Sequence, residues 1–198
     1  MVGPGAGMSR AALGNDVVDL RDADAQPDTL HPRFDEKAFH AGERTYIGSG
    51  PGVNRRRWSL WAAKEAAHKA LRQEAPELGF APRHYHASLD ESGQGLVRRG
   101  EDEISVRVDA DGEHVHAVAF RGDASDVLGA LASLPEGGEA DPSRAVRELL
   151  YDSLPPGLPA RLDRRERIPR LELDGQALPV SFSHHGRFVA MVRRGGRS

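Results

Sequence analysis

The segment from about residue 56 to residue 73 is rich in alanine and predicts the main helix of the chain. At about 100° per residue, Leu60, Ala67 and Leu71 lie on one side and form the expected buried stripe. Short strand-like segments separated by glycines lie elsewhere in the chain. One long helix among such strands predicts a fold of the α/β (α+β) class.

The side of this helix away from the stripe carries a carboxylate and a lysine, and a second lysine flanks them. Glu65 and Lys69 are four residues apart and point nearly the same way, and Lys64 precedes them. Two of the three lysines in a chain that otherwise uses arginine fall here. The Glu65–Lys69 pair is either a solvated ion pair worth about 0.3–0.5 kcal/mol or part of a site that needs an ammonium group beside an acid.

Asp16 lies at the centre of the predicted strand 13–20, where aspartate is uncommon. An inward-facing carboxylate needs a partner, and a divalent cation shared with Glu65 is a natural one. Two carboxylates, completed by water and phosphate oxygens, are the usual protein ligands of Mg²⁺. Lys69 would then neutralise a phosphate bound to the ion. Together these residues predict a metal site suited to chemistry at a pyrophosphate.

A second polar pair, Ser183-His184, lies where the predicted strand 180–183 meets a tight turn. Side chains at such positions are often exposed and functional. Neighbours on a strand point to opposite faces, so this serine and histidine do not form a hydrolase pair. We predict that they bind a phosphate or a ribose; the alternative is a purely structural role.

Composition excludes several classes of function. A formal charge of −3 over 198 residues gives no electrostatic basis for binding nucleic acid or a membrane. The absence of cysteine excludes disulfides, thiolate catalysis and cysteine-based zinc sites. No apolar run approaches the roughly 20 residues of a membrane span, and the start lacks a signal-peptide pattern. We therefore expect a cytoplasmic protein.

The chain is predicted to contain a flexible N-terminus at 1–12, a lobe at 13–122, a linker at 123–140 and a second lobe at 141–198. Residues 115–122 and 188–195 carry alanine, arginine and glycine at matching positions. This similarity is either a coincidence between two buried strands or the mark of two related lobes. The other predicted elements are a weak helix at 35–44, strands at about 84–90, 96–99, 103–108 and 113–120, a helix at 141–153, a proline-rich loop and an arginine-rich stretch before residue 180, and a strand at 188–193.

Three motifs together resemble the 4′-phosphopantetheinyl transferases. The Gly-x-Asp strand motif of that family is matched by Gly14-Asn15-Asp16, and its Trp-x-x-Lys-Glu-x-x-x-Lys helix motif by residues 61–69. Ser183-His184 matches its Ser-His strand motif. The resemblance covers most of the chain. It implies two pseudo-equivalent lobes, each a small antiparallel sheet packed on a long helix.

The resemblance implies transfer of the phosphopantetheine arm of coenzyme A to a serine of an apo acyl or peptidyl carrier protein, with release of adenosine 3′,5′-bisphosphate. Asp16 and Glu65 would hold Mg²⁺ on the pyrophosphate. Lys69, with Lys64 assisting, would stabilise the charge that develops on the leaving phosphate. Glu65, or a water molecule on the metal, would take the proton of the serine.

The Ser-His strand ends this chain, whereas in the larger two-lobed members it precedes the Gly-x-Asp strand. Residues 143–150 resemble the helix that opens the first lobe of those members, so the lobes here would stand in swapped order. Arg144 would then match the arginine that binds the 3′-phosphate of coenzyme A, and Ser183 and His184 would contact the nucleotide end. With both lobes in one chain a monomer suffices; an enlarged form of the small trimeric members is the alternative.

Two positions depart from the family pattern. Gln176 stands where the two-lobed members have the lysine of a Gly-Lys-Pro motif, and Val18 stands where they often have a third metal-binding acid. We expect water to fill that position, since Asp19 points to the other face of the strand. Two other functions stay open, namely a Mg²⁺-dependent nucleotide pyrophosphatase and a non-catalytic module that binds coenzyme A or a carrier protein.

Overall fold

A computed structural model of the chain describes residues 12–135, 141–165 and 168–195. These residues form two five-stranded antiparallel sheets with helices packed on them, which confirms the expected α+β class and the two lobes. The predicted flexible N-terminus lies outside the described residues, except for Ala12. In the part of the chain that is described, no helix is long and apolar enough to cross a membrane.

The first lobe contains five strands and three α-helices. They are β1 (Leu13–Asp19), α1 (Phe34–Ala38), α2 (Ala41–Gly48), α3 (Val53–Arg72), β2 (His86–Leu89), β3 (Gln94–Arg99), β4 (Asp102–Ala110) and β5 (His114–Phe120). The strand order is β1-β5-β4-β3-β2, with α3 packed on one face. Leu60, Ala67 and Leu71 are buried against the sheet, as the helical periodicity predicted.

The second lobe repeats this arrangement. Its elements are β6 (Val127–Ser133), α4 (Pro142–Asp152), β7 (Ala160–Arg165), β8 (Ile168–Leu173), β9 (Gln176–His185) and β10 (Phe188–Arg194). The strand order β6-β10-β9-β8-β7 is that of the first lobe, and a helix follows the first strand in both. The two similar sequence segments contain most of β5 and all of β10, the last strands of the two lobes. The sequence similarity of these two segments therefore coincides with the same strand order in both lobes.

Three regions differ from the sequence prediction. The weak helix at 35–44 is two short helices, because Phe39 and His40 have extended backbone angles and interrupt it. The predicted linker at 123–140 contains β6, which pairs with β10; its residues 136–140 lie outside the described ones. The arginine-rich stretch before residue 180 contains β7 and β8, in which Leu162 and Leu171 pair across the ladder.

The lobes meet where β1, an edge strand of the first sheet, runs beside β9 of the second. Alternate side chains of β9 accept hydrogen bonds of 3.1 Å from alternate N–H groups of β1: Ser181 from Asn15, Ser183 from Val17, and His185 from Asp19. The contacts match because both strands repeat every two residues. They satisfy N–H groups that an edge strand otherwise leaves unpaired.

An ion pair fastens the end of β1 to the turn between β9 and β10. Arg187 donates two hydrogen bonds of 2.8 Å, from Nε and Nη2, to the buried carboxylate of Asp19. Burial raises the pKa of Asp19, but the hydrogen bonds from Arg187 and from the Arg21 backbone outweigh it and hold that pKa well below its usual range. Gly186 leaves room for this contact, since a Cβ there would lie 2.6 Å from Asp19 Oδ2. Asp19 therefore belongs to the lobe interface.

Candidate active site

Four polar side chains converge where β1 contacts both α3 and β9. Asp16 Oδ1 accepts hydrogen bonds from Lys69 Nζ at 2.8 Å and from Ser183 Oγ at 2.9 Å. The Lys69 ammonium also lies 3.5 Å from Glu65 Oε1 and 3.3 Å from Ser183 Oγ. The structure thus brings together one or two residues from each of the three motifs.

Close backbone packing between β1 and α3 sets the position of Asp16. A Cβ at Gly14 would lie 2.0 Å from the Ala66 carbonyl oxygen and 2.6 Å from the Ala70 nitrogen. Only glycine allows this approach, because any side chain would have to displace the helix backbone. Asp16 lies two residues further along the same face of the strand, so its carboxylate also points at α3. The glycine of the Gly-x-Asp motif therefore brings the aspartate within reach of Lys69.

The two carboxylates share one ammonium group, and their charges shift two pKa values. Burial raises the pKa of Glu65 and the charge of Asp16 raises it further, while Lys69 opposes both. Burial alone would lower the pKa of Lys69, but the charges and hydrogen bonds of Asp16 and Glu65 outweigh it, so this pKa is raised. Lys69 therefore stays protonated at neutral pH. With both carboxylates ionised, the cluster carries an excess negative charge that a bound cation would balance.

Asp16 and Glu65 are suitable ligands for Mg²⁺. Among the described residues, no group of three or more histidine, aspartate or glutamate side chains is placed to hold a metal. Two carboxylates fit Mg²⁺ nevertheless, because this ion keeps several waters and binds substrate phosphates in its remaining positions. Val18, at the position of the family's third acid, is buried in the apolar core of the first lobe. The donor set thus fits Mg²⁺ only together with water or a phosphate-bearing ligand.

Lys64 does not join this cluster. Its side chain is fully buried, and its ammonium donates to the Ala38 carbonyl at 2.8 Å and to Glu43 Oε2 at 2.7 Å. The same group lies 4.9 Å from the centre of the Phe39 ring. Burial lowers the pKa of Lys64, against the opposing effect of Glu43. The two motif lysines therefore have different surroundings, because five steps of about 100° along a helix turn the side chain by about 140°.

His184 and Arg144 are also separate from the cluster. His184 is exposed and pairs across the strands with Val189, on the face of the second sheet that α4 covers. Arg144 lies on α4 with its side chain 76% exposed and bonded to Glu148 at 2.7 Å. The second sheet lies between α4 and β1, since alternate residues of β10 pack on the two. Ser183, next to His184, points the other way, towards Asp16.

A cleft of about 180 Å³ opens beside the cluster, between the C-terminal end of α3 and the second sheet. Lys69 and Arg72 line it from α3 and Gln73 from directly after the helix, and Arg164 and Phe182 line it from β7 and β9. Gln73 also donates from Nε2 to the Val180 carbonyl at 3.1 Å, which joins the lobes at this point. Nothing in the pattern of the arginine-rich stretch distinguishes Arg164 from its neighbours, so its place beside the cleft was not predicted.

A family comparison agrees with the first two motifs. The sequence model of the 4′-phosphopantetheinyl transferase superfamily matches residues 12–119, more than half of the chain. Among solved structures 27 chains match, including the holo-[acyl-carrier-protein] synthase of Thermotoga maritima, which is 15% identical and aligns over 78% of this chain and 77% of its own, with a TM-score of 0.43. No curated protein matches. The matched residues 12–119 include the Gly-x-Asp strand and the whole of α3, and the chain belongs to the 4′-phosphopantetheinyl transferase superfamily.

Proposed function

We propose that this protein transfers the 4′-phosphopantetheine arm of coenzyme A to a serine of an apo acyl or peptidyl carrier protein. The cluster of Asp16, Glu65 and Lys69 beside a cleft with a further cation, Arg164, is the observation that carries the proposal. Membership of the superfamily supports phosphopantetheinyl transfer in general. The carrier serine, the release of adenosine 3′,5′-bisphosphate and the use of Mg²⁺ belong to the proposal.

Lys69 is the residue that we assign to the leaving group. The serine oxygen would form a bond to the phosphorus that carries pantetheine, and the bond from this phosphorus to the bridging oxygen of the pyrophosphate would break. Negative charge then develops on that bridging oxygen, which leaves with adenosine 3′,5′-bisphosphate. An ammonium group held in place before the reaction stabilises such charge without reorganisation. Asp16 and Ser183 hold Lys69 at 2.8 and 3.3 Å and so supply this preorganisation.

Glu65 is the residue that we assign to the serine proton. Without a bound metal, burial and the charge of Asp16 raise its pKa, which makes it a stronger base than an ordinary glutamate. With Mg²⁺ on this carboxylate, a water molecule on the metal would be the alternative base. Its side chain is 30% exposed, so a serine from another protein can reach it. Asp16 and Glu65 would also hold Mg²⁺, which when bound would neutralise part of the pyrophosphate charge.

The contact between Ser183 and Asp16 supports a monomer. Both residues belong to one chain, so neither needs a second copy to complete the cluster. A homotrimer, as in the small members of the family, is the alternative. Size-exclusion chromatography with light scattering distinguishes the two, and a stable trimer would contradict the proposed monomer.

The decisive experiment incubates the protein with coenzyme A, Mg²⁺ and an apo carrier protein and measures the intact mass of the carrier. We expect a gain of one phosphopantetheine, abolished by chelation of the metal and by mutating the carrier serine to alanine. A panel of fatty-acid, polyketide and peptide carriers gives the specificity. No gain with any of them, despite binding of coenzyme A, would contradict the proposal.

The same reaction without carrier tests the two other functions. A nucleotide pyrophosphatase would release free phosphopantetheine from coenzyme A in the absence of any carrier. A binding module would retain coenzyme A unchanged over the same time. The ion pairs of Asp16 and Glu65 with Lys69 favour an enzyme over a binding module, because two carboxylates held against an ammonium are suited to pyrophosphate cleavage.

A further inference from the structure

Every hydrogen-bonding position of the Ser183 hydroxyl is occupied within the chain. Its Oγ accepts hydrogen bonds from the Val17 N–H at 3.1 Å and from Lys69 Nζ at 3.3 Å, and it donates to Asp16 Oδ1 at 2.9 Å. A hydroxyl group has one donor and two acceptor lone pairs, so these three contacts use its full capacity. The residue is also buried, with 5% of its surface exposed. Ser183 therefore has no free hydrogen-bonding group to offer a phosphate or a ribose.

The hydrogen bonds of Asp16 use only one of its two carboxylate oxygens. Lys69 Nζ and Ser183 Oγ both donate to Oδ1, at 2.8 and 2.9 Å, and no described residue donates a hydrogen bond to Oδ2. Two donors on one oxygen fix the orientation of the carboxylate, because turning the group would misalign both hydrogen bonds. Oδ2 thus remains available, in a fixed direction, to a cation shared with Glu65.

Among the described residues of the second lobe, only Ser183 bonds to the Asp16 side chain. The next serine on the same face of β9, Ser181, provides an internal comparison. Its Oγ accepts a hydrogen bond of 3.1 Å from the Asn15 N–H, the same kind of contact that Ser183 makes, and both serines are 5% exposed. Within the described chain, Ser181 forms no hydrogen bond with Asp16 or Lys69. The two serines therefore make the same contact with the β1 backbone, and only Ser183 adds one to the proposed metal site.

We propose that Ser183 is a positioning residue, which orients the Asp16 carboxylate for the divalent cation instead of binding coenzyme A; this inference rests on the proposed function. A hydrogen bond from a neighbouring residue sets the direction of a ligating carboxylate, and its loss typically weakens metal binding about 10- to 100-fold. The family resemblance suggested instead that Ser183 contacts the nucleotide end. The geometry favours orientation of Asp16, because a carboxylate oxygen only accepts and the single O–H of Ser183 is thus committed to it.

The test is a titration of the whole chain with Mn²⁺, followed by the electron paramagnetic resonance of the free ion, without nucleotide or carrier. Mn²⁺ serves as the probe for Mg²⁺, since both ions prefer carboxylate and water ligands. The binding that Asp16→Asn removes defines the site. We expect Ser183→Ala to weaken this binding about 10- to 100-fold, whereas the matched control Ser181→Ala should stay within about twofold of the wild type. Each alanine variant loses one hydrogen bond to the β1 backbone, so a difference between them measures the contact with Asp16; thermal unfolding should show that both remain folded.

Binding of adenosine 3′,5′-bisphosphate, measured by calorimetry without metal, distinguishes a positioning residue from a nucleotide ligand. Ser183→Ala should leave this affinity unchanged, whereas loss of a nucleotide ligand would weaken it and leave metal binding intact. Ser181 also lines the cleft, so its variant is a control for the Mn²⁺ titration alone. Four results would overturn the inference: a wild type that binds Mn²⁺ no better than Asp16→Asn, unchanged Mn²⁺ binding in Ser183→Ala, an equal loss in Ser181→Ala, or weaker nucleotide binding in Ser183→Ala.

Neither measurement needs a carrier protein. A chain that shows the expected Mn²⁺ pattern but modifies no carrier would refute the proposed function and keep the assignment of Ser183. Carrier modification by the wild type, combined with unchanged Mn²⁺ binding in Ser183→Ala, would refute only this inference.

Discussion

The two lobes have the same strand order but differ in what surrounds their first strands. All seven residues of β1 are buried, between α3 and the second sheet. In β6, the equivalent strand, no residue is fully buried, and Leu128 is 43% exposed. The helices differ as well, with 20 residues in α3 and 11 in α4. The two lobes therefore share a strand order, but only the first strand of the first lobe is buried enough to hold a carboxylate such as Asp16 away from solvent.

Each helix also carries one acid and one base four residues apart. On α3 the side chains of Glu65 and Lys69 are 30% and 25% exposed, and both face Asp16. On α4 the side chains of Glu148 and Arg144 are 59% and 76% exposed and contact each other across solvent-facing turns. Spacing alone does not distinguish a solvated ion pair from a reactive one. The difference is the neighbouring strand, which places a second carboxylate beside the pair on α3.

The largest difference between the lobes should appear in catalytic activity when the glutamate of each helix pair, Glu65 or Glu148, is replaced by glutamine. Glu65→Gln removes the proposed base and metal ligand, so we expect kcat/KM for carrier modification to fall about 100- to 10,000-fold. Glu148→Gln, the matched change on α4, should leave it within about twofold. Circular dichroism and thermal unfolding should show that both variants remain folded. Full activity in Glu65→Gln would remove Glu65 from the proposed mechanism.

A second pair of variants removes one partner of a buried ion pair in the first lobe and of an exposed ion pair in the second. Lys64→Met leaves the carboxylate of Glu43 buried without its charge partner, and we expect the free energy of unfolding to fall by about 3–5 kcal/mol. Adding Glu43→Gln should restore most of this loss, which denaturant unfolding measures. Arg144→Met on α4 should leave the unfolding midpoint unchanged. A double variant no more stable than Lys64→Met would mean that packing, rather than the unpaired charge, dominates.

The first strand of each lobe contains a glycine, and replacing each by alanine compares how closely the two strands are packed. Gly14→Ala places a methyl group 2.0 Å from a backbone oxygen of α3, so we expect a loss of about 3 kcal/mol in unfolding free energy. At Gly129 of β6 the nearest atom would be a methyl of Val192 at 3.2 Å, which can move. Gly129→Ala should stay within about 1 kcal/mol of the wild type. Similar losses in both variants would contradict the close packing of β1 on α3.

The smallest expected effect concerns the ion pair that joins the lobes. Asp19→Asn weakens the bonds to Arg187, and we expect a loss of about 1–2 kcal/mol in unfolding free energy at pH 7. Because the folded-state pKa of Asp19 lies below its unfolded value of about 4, the contribution is complete above about pH 5 and is lost progressively as the pH falls further. Unfolding curves of the wild type and the variant between pH 7 and pH 2.5 test this.

In that series the difference between wild type and variant should stay constant down to about pH 5 and then shrink. Glu113→Gln provides the control, since Glu113 also contacts Arg187 but its side chain is 38% exposed. Glu113→Gln should lower the unfolding free energy less than Asp19→Asn does, and this loss should depend more on the salt concentration. A difference that grew towards low pH would have the wrong sign for a carboxylate with a lowered pKa.

The sequence predicted most of the first lobe and less of the second. Periodicity identified α3 and the strands of the first sheet, because their apolar residues are regularly spaced and glycines mark the turns. It missed β6, a run of small residues such as Gly129 and Ala130, and it missed β7 and β8, where arginines alternate with leucines beside prolines. β6 forms through pairing with β10, a distant partner that a local pattern does not contain, whereas β7 and β8 pair with each other as a hairpin.

For the candidate site, Asp16, Glu65, Lys69 and Ser183 were predicted and lie together. Lys64, His184 and Arg144 were selected with them and lie apart. Their assignment rested on neighbours in the chain or on family resemblance. On a helix or a strand, however, the adjacent residue points in another direction, so a motif contains residues that serve different contacts.

By itself, the sequence determined which residue types occur at which spacing: an aspartate in a strand, an acid and a lysine one helical turn apart, and a serine in a late strand. Only the tertiary structure decided that Ser183 meets Asp16 across 167 residues of the same chain, and that Arg164 lines the adjoining cleft. The physical reason is that a helix or strand orients side chains through local geometry. Contact between lobes depends instead on which edge of one sheet remains free to be covered by the other.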